Sequence, residues 1–265
     1  MAAAPPQIPP PPPAAAGPAL WHEPAPRHFD AAVPCWLKAL IIALCTILAM
    51  IFLDQRVALW ARAHPIPDLA GRPLVQDPTS TKYRGGDIGR ELMFLEQWGQ
   101  FTCSVVVIAA VGLIDPKGRR RALAIAIGCL ATLALTHLLK DLCGRSRPFI
   151  PGSNENDGSW IFGGPHMGFT GGAKWGSFPS AHTTAAFALA AGLAWFYPRG
   201  RALFVGLSLI TATLRVLHTA HFLSDVIAGM GLGIFVARWT LSAKLAGRLI
   251  ALAPANLRTW WQQNP

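Results

Sequence analysis

The sequence predicts an all-α fold, a bundle of six membrane-crossing helices. Three observations carry that prediction. The chain is 52% hydrophobic and only 14% charged, where a soluble domain usually has about 25% charged residues. Its apolar residues fall in long runs almost free of charge. Its basic residues collect in short segments between those runs, and most of the net charge of +10 sits there.

The elements follow in order. Residues 1–30 are rich in alanine and proline, with no apolar periodicity. Proline removes backbone donors and favours extended geometry, so a disordered tail is expected. The segment lacks the basic start, apolar core and cleavage site of a signal peptide. Residues 31–53 form the first apolar run, interrupted only by Lys38, and 97–114, 122–139 and 175–198 form the next three. Two shorter runs, 202–214 and 226–237, approach the roughly 20 residues of a spanning helix only if Arg215, His218, His221 and Asp225 join them. "DQRVALWARAHP" after the first run reads equally as a short interfacial helix or as a connecting loop. The expected organisation is a tail over 1–30, a six-span domain over 31–247 and a short basic tail over 248–265.

The loops set an orientation. "DPKGRRR", "PRGR" and the group Lys244, Arg248 and Arg258 fall on one side of a six-span bundle, together with both termini. The positive-inside rule makes that side cytoplasmic. The long connection 54–97 balances six basic against six acidic residues, as a non-cytoplasmic loop can. Basic residues split in this way do not make a nucleic-acid face. The five cysteines form no CxxC or Cys/His cluster, so neither a disulfide framework nor a zinc site is expected.

Three segments put charge where membrane helices avoid it: "KDLCGRSRPF" (140–149), "GSFPSAHTT" (176–184) and "LRVLHTAHFLSD" (214–225). In a six-span layout all three meet on the non-cytoplasmic face. Ionisable groups near hydrocarbon are costly and mark functional sites. Clustered cations repel one another unless an anion sits among them, and phosphate fits guanidinium donors well. His221 and Asp225 are four residues apart, so one helical face can pair an imidazole with an orienting carboxylate. His182 follows "FPS" at a helix start, where unpaired N–H groups favour anions. Ser180 can donate its hydroxyl or cap the helix. His218 and His137 are candidates for packed or interfacial histidines.

On these residues the chain resembles the type-2 phosphatidic acid phosphatase (PAP2) superfamily, which also includes the vanadium haloperoxidases. Lys140, Arg147 and Pro148 match the first family motif. Pro179, Ser180 and His182 match the second, with Ala181 in place of glycine. Arg215, His221 and Asp225 match the third, with Leu214 in place of serine. The resemblance implies a PAP2/haloperoxidase-type bundle in a bacterial inner membrane, with its active site facing the periplasm or exterior. It implies that Lys140, Arg147, Ser180, Ala181 and Arg215 bind phosphate, with Ala181 contributing its backbone N–H. It also implies that His221 attacks phosphorus to form a phosphohistidine, that Asp225 orients His221, and that His182 protonates the leaving oxygen. No metal or other cofactor is expected.

The substrate expected on this basis is a lipid phosphate or lipid diphosphate, and the glycine- and aromatic-rich loop 149–178 shapes its binding. A polyprenyl diphosphate, phosphatidic acid, phosphatidylglycerol phosphate and a phosphorylated lipid A all fit. Transfer of the phosphoryl group to an alcohol, and silent binding of a lipid phosphate, are the alternatives to hydrolysis.

Overall fold

The computed structural model describes residues 34–64, 75–76, 83–84, 87–148 and 160–256. The tail over 1–30, residues 149–159 of the glycine-rich loop and the last nine residues lie outside them.

Among the described residues the fold is all-α apart from a short antiparallel pairing of Val75–Gln76 with Tyr83–Arg84. The helices are α1 (Cys35–Phe52), α2 (Asp54–Ala63), α3 (Asp87–Glu96), α4 (Phe101–Ile114), α5 (Gly118–Cys143), α6 (Gly164–Thr170), α7 (Ala181–Phe196), α8 (Arg201–Leu217), α9 (Leu223–Ser242) and α10 (Leu245–Leu252). Helix α7 is the hub. It packs against α4, α5, α8 and α9, and nine of its residues are buried. Helix α9 approaches it closely because a Cβ at Gly233 would lie 2.4 Å from the Thr184 carbonyl oxygen. Small residues at a helix crossing allow such backbone contact. Helix α1 lies at the edge, burying only Thr46 and Ala49, while Leu40, Ile41, Leu44, Ile47 and Leu48 are exposed. Large apolar side chains turned outward suit hydrocarbon rather than water.

The expectation of six spans is overturned. Among the described residues four helical segments are long and apolar enough to cross a membrane: Cys35–Phe52, Gly118–Cys143, Pro198–Leu217 and Leu223–Ser242. The number rises to five if Glu91–Gly99 and Phe101–Ile114, bent by 71°, count as one span. Two physical features account for the difference. Gln100 is extended, with φ −85° and ψ 147°, and breaks the apolar run at 97–114. In the run at 175–198, residues 176–180 are non-helical, so α7 has only 16 residues. That is about 24 Å of helix against a hydrocarbon core of about 30 Å. The two runs that looked short behave in the opposite way. Arg215 joins α8 and Asp225 joins α9, which brings both to spanning length.

Of the two readings for the segment after the first apolar run, a helix is observed over Asp54–Ala63. Its first residue, Asp54, is fully buried. The bundle has two chemically distinct ends. Helices α5 and α8 finish, and α7 and α9 begin, at the end carrying Lys140, Ala181, Arg215 and Asp225. The other end carries Arg119, Arg120, Arg121, Arg199 and Arg201. There Arg121 meets Asp115 at 2.5 Å, and the Tyr197 hydroxyl donates to the same carboxylate.

Candidate active site

Four helix ends at one end of the bundle build the site: the ends of α5 and α8 and the starts of α7 and α9. Helix α5 ends at Gly144, whose N–H bonds the Lys140 carbonyl. The chain then runs extended, bridging Arg145 to Phe162, while the Ser177 N–H bonds the Arg145 carbonyl at 3.0 Å. Lys140 Nζ donates to the Gly176 carbonyl. Arg147 Nε donates to the Ala173 carbonyl at 2.9 Å, and its Nη1 to that of Ala220 at 3.5 Å. Residues 173–177 therefore lie across the exit of α5 and hold both cations by main-chain oxygens. The Ser180 N–H bonds the Asp225 carbonyl at 3.0 Å, which joins the start of α7 to the first turn of α9.

Lys140, Arg147 and Arg215, which the sequence spreads over 76 positions, come within electrostatic reach of one another. His182 and His221 both feel Arg215 and Lys140. Burial, with Arg215 alongside, lowers the pKa of the Arg147 guanidinium. Arg215 donates through Nη1 to Glu96, whose other oxygen lies 3.0 Å from His218 Nδ1. The buried Arg215 Nε has no partner. Ser180 stands at the N-cap position without capping through its side chain, and its Oγ accepts from Thr183 at 3.0 Å. Its own O–H is left to donate. Ala181 opens α7. His137 is exposed, three residues before Lys140 on α5.

The geometry around His221 differs in detail from a simple histidine–carboxylate pair. His221 Nδ1 lies 2.8 Å from the Ser177 carbonyl and 3.6 Å from Asp225. A carbonyl can only accept, so Nδ1 carries the proton and Nε2 keeps its lone pair. Burial pushes the His221 pKa down to about 3, against the pull of Asp225, so the ring is neutral near pH 7. Asp225 accepts from Arg145 Nη1 at 2.5 Å, Ser177 Oγ at 2.6 Å and the Phe222 N–H at 2.9 Å.

Sequence reasoning missed the residues behind these groups. Arg145 has no exposed surface, lies 2.7 Å from Asp54 and from Ser224 Oγ, and has its guanidinium 4.5 Å from the centre of the Phe222 ring. Asp54 also accepts from the N–H and hydroxyl of Ser224, at 2.8 and 2.5 Å. Gln100 Nε2 lies 2.7 Å from His182 Nε2. Arg145 and Ser224 stood inside the charged segments. Asp54 and Glu96 had only their position beside apolar runs as a signal, and Gln100, inside one, had none.

A cavity of about 480 Å³ opens beside His182, between α4, α5 and α7. Phe101, Val105, Ile108, Leu130 and Leu133 line it with other apolar residues, and His182, Gln100 and Ser104 are its polar members. Among the described residues no group of three or more His, Cys, Asp or Glu side chains is arranged to hold a metal ion.

The chain resembles known proteins in both sequence and fold. It is 35% identical over 121 residues to a lipid A 1-phosphatase of Rhizobium johnstonii, covering 45% of this chain and 47% of that protein. It is 36% identical over 121 residues to a lipid A 1-phosphatase of Rhizobium etli, covering 45% and 49%. The chain thus spans about half the length of the curated relatives it matches. The crystal structure of a transmembrane PAP2-type phosphatidylglycerolphosphate phosphatase from Bacillus subtilis superposes with a TM-score of 0.50 at 16% identity, over 78% of this chain and 96% of that one. That likeness concerns the fold alone. The sequence matches the PAP2 superfamily over residues 121–263, more than half its length and all three charged segments, and the chain belongs to that superfamily.

Proposed function

We propose that this chain hydrolyses a phosphate monoester or diphosphate on a membrane lipid through a phosphohistidine on His221. One observation carries the reading. Lys140 and Arg147 from one charged segment and Arg215 from another gather at a neutral histidine whose Nε2 keeps its lone pair, and the buried Arg215 Nε has no partner. Buried donors are nearly always satisfied, so an anion is the natural occupant. A phosphate dianion offsets the mutual repulsion of Lys140, Arg147 and Arg215.

In the first step His221 Nε2 attacks phosphorus, a P–N bond forms and the P–O bond to the lipid breaks. His182 supplies the proton that the leaving oxygen takes. The imidazole gains positive charge 3.6 Å from Asp225, whose carboxylate stabilises it. Lys140, Arg147, Arg215, the Ser180 hydroxyl and the Ala181 N–H meet the charge on the phosphoryl oxygens. In the second step water attacks phosphorus, the P–N bond breaks and His182 takes the water's proton.

The apolar cavity ending at His182 supports a lipid leaving group, because an acyl or prenyl chain would fill it while its ester oxygen reaches the histidine. The names of the two rhizobial relatives make a phosphorylated lipid A the first substrate to test. The basic end of the bundle supports an orientation with that end, and the start of α1, toward the cytoplasm. The site then faces the periplasm or exterior. The domain organisation we propose is a tail over 1–30, a catalytic bundle over 31–247 and a basic tail over 248–265.

The test is rapid-quench capture of an acid-labile, base-stable phosphoprotein from labelled lipid phosphate, followed by peptide mapping. The label is expected on His221 and absent in His221→Gln. Label on His182, or label persisting in the His221→Gln variant, would reverse the assignment.

A further inference from the structure

The break between α3 and α4 reaches into the site although no charged segment of the sequence led there. Glu96, at the end of α3, bridges Arg215 and His218. Four residues on, Gln100 meets His182. Between them Trp98 Nε1 donates to Ser208 Oγ at 3.0 Å, fixing the break to α8. A Cβ at Gly99 would sit 2.5 Å from the His182 carbonyl oxygen and 2.8 Å from Thr211 Cγ2. This turn is therefore packed directly on the first turn of α7, and only glycine permits the approach.

We infer that Gln100 is a positioning residue for His182. It holds the ring by Nε2 and leaves Nδ1 as the nitrogen that exchanges a proton with the leaving oxygen. This rests on the reading of His182 as the leaving-group acid. The observed 2.7 Å contact joins the amide nitrogen to Nε2, so the amide donates and the ring nitrogen accepts. The neutral ring then bears its proton on Nδ1. When His182 is doubly protonated, Nε2–H needs an acceptor, and a half-turn of the same amide presents its oxygen. A glutamine serves both protonation states of the acid in one place. A carboxylate would favour only the cation, and an aliphatic side chain would hold neither form.

The charged groups facing His182 come from four directions: Arg215 on α8, Glu96 on α3, Arg147 in the loop after α5, and Lys140 on α5. Three of the four are cations, and they disfavour the imidazolium that must form before each turnover. Gln100 adds no charge of its own and so does not alter this balance. Gln100→Glu adds a carboxylate in contact with Nε2, and an opposite charge at such a distance raises a histidine's pKa by roughly 1 unit or more.

The experiment compares the full chain with Gln100→Leu, Gln100→Glu and His182→Asn on two substrates. One is a lipid phosphate with an alkyl leaving group, and the other is p-nitrophenyl phosphate, whose leaving oxygen hardly needs a proton. General acid catalysis contributes roughly 10²- to 10⁴-fold, and orientation supplies part of it. Gln100→Leu is expected to lower kcat on the lipid phosphate about 10-fold or more relative to kcat on the aryl phosphate. Gln100→Glu should move the alkaline limb of kcat for the lipid phosphate to higher pH by about 1 unit, in line with that effect. If Gln100→Leu lowers both substrates equally and Gln100→Glu leaves the limb in place, while His182→Asn still separates the substrates, Gln100 is structural and the inference fails alone. If His182→Asn does not separate them either, the role of His182 as acid falls, and that of Gln100 falls with it.

Discussion

Arg145 offers a sharp test of how this site is held together, because it touches no expected phosphate position and yet is buried against two carboxylates. Its guanidinium lies 2.7 Å from Asp54 and 2.5 Å from Asp225, with Ser224 Oγ at 2.7 Å, and all three ionised side chains have no exposed surface. Arg145→Met keeps much of the side-chain volume but strands two buried carboxylates. Removing one partner of a buried ion pair costs about 3–5 kcal/mol. At about 2–4 °C per kcal/mol for a chain of this size, the midpoint of thermal unfolding should fall by roughly 10 °C. Asp54→Asn should cost less. It removes one charge and leaves an amide that can still accept from the Ser224 N–H, for a loss of about 1–3 kcal/mol.

The double variant separates a charge network from simple packing. Once Arg145 is gone, Asp54 is itself an unpaired charge, so removing it relieves part of the damage. The loss in Asp54→Asn/Arg145→Met should fall short of the sum of the single losses by about 1–3 kcal/mol. The assay is the fraction of monodisperse protein after graded heating in detergent, read by fluorescence-detected gel filtration. An Arg145→Met midpoint within about 1 °C of the parent chain, or strictly additive losses, would refute the reasoning (about 2–4 °C corresponds to 1 kcal/mol).

Two further predictions concern the site itself. Burial holds the His221 pKa near about 3, below its ordinary value of 6.5. The unfolded chain therefore binds the extra proton first, and the stability His221 confers is complete above about pH 6.5 and is lost as pH falls toward 3. Thermal midpoints measured between pH 7 and pH 4 should decline, and His221→Gln should flatten that decline; an unchanged slope would mean that His221 is not buried and neutral. Arg215→Lys should lower kcat/KM on a lipid phosphate by about 10²-fold, because a single ammonium cannot pair with Glu96 and also present the two-donor edge a guanidinium offers to phosphate. Steady-state kinetics within twofold of the parent chain would remove Arg215 from the phosphate site.

The sequence made the site more legible than the spans. Lys140, Arg147, His182, Arg215, His221 and Asp225 stood out because a charge or an imidazole inside apolar surroundings is costly, and because their spacings match the family motifs; the helical face expected for His221 and Asp225 is not formed, since His221 lies two residues before α9. Span number was harder, because hydropathy averages over a window and registers no backbone break. Gln100 sits among apolar neighbours and gives no warning that the chain turns there. Residues 176–180 carry no charge and read as helix, although they are non-helical and begin in the segment that covers the α5 exit. Arg145 could have been singled out only by asking which of three cations in one short segment lacked room at a phosphate. Asp54, Glu96 and Gln100 act through contacts 82 to 170 positions away in the chain, and no local pattern encodes those.

The relation between His221 and Asp225 shows why that distant network matters to the chemistry. A carboxylate bonded directly to Nδ1 would raise the imidazole's pKa and favour the protonated ring, which cannot attack phosphorus. Here the Ser177 carbonyl, 2.8 Å away, fixes the ring and its tautomer without adding charge. Asp225 stands at 3.6 Å with its oxygens already engaged by Arg145, Ser177 and Phe222. Before the reaction Arg145 offsets its charge, and burial keeps His221 neutral. In the proposed reaction, formation of the P–N bond would make the ring cationic, and the nearby carboxylate would then contribute most. A fixed charge whose benefit grows along the reaction coordinate lowers the barrier rather than the ground state. Asp54 enters this balance because it shares Arg145 with Asp225: the more tightly Asp54 holds the guanidinium, the more of the Asp225 charge would be left for the proposed phosphohistidine.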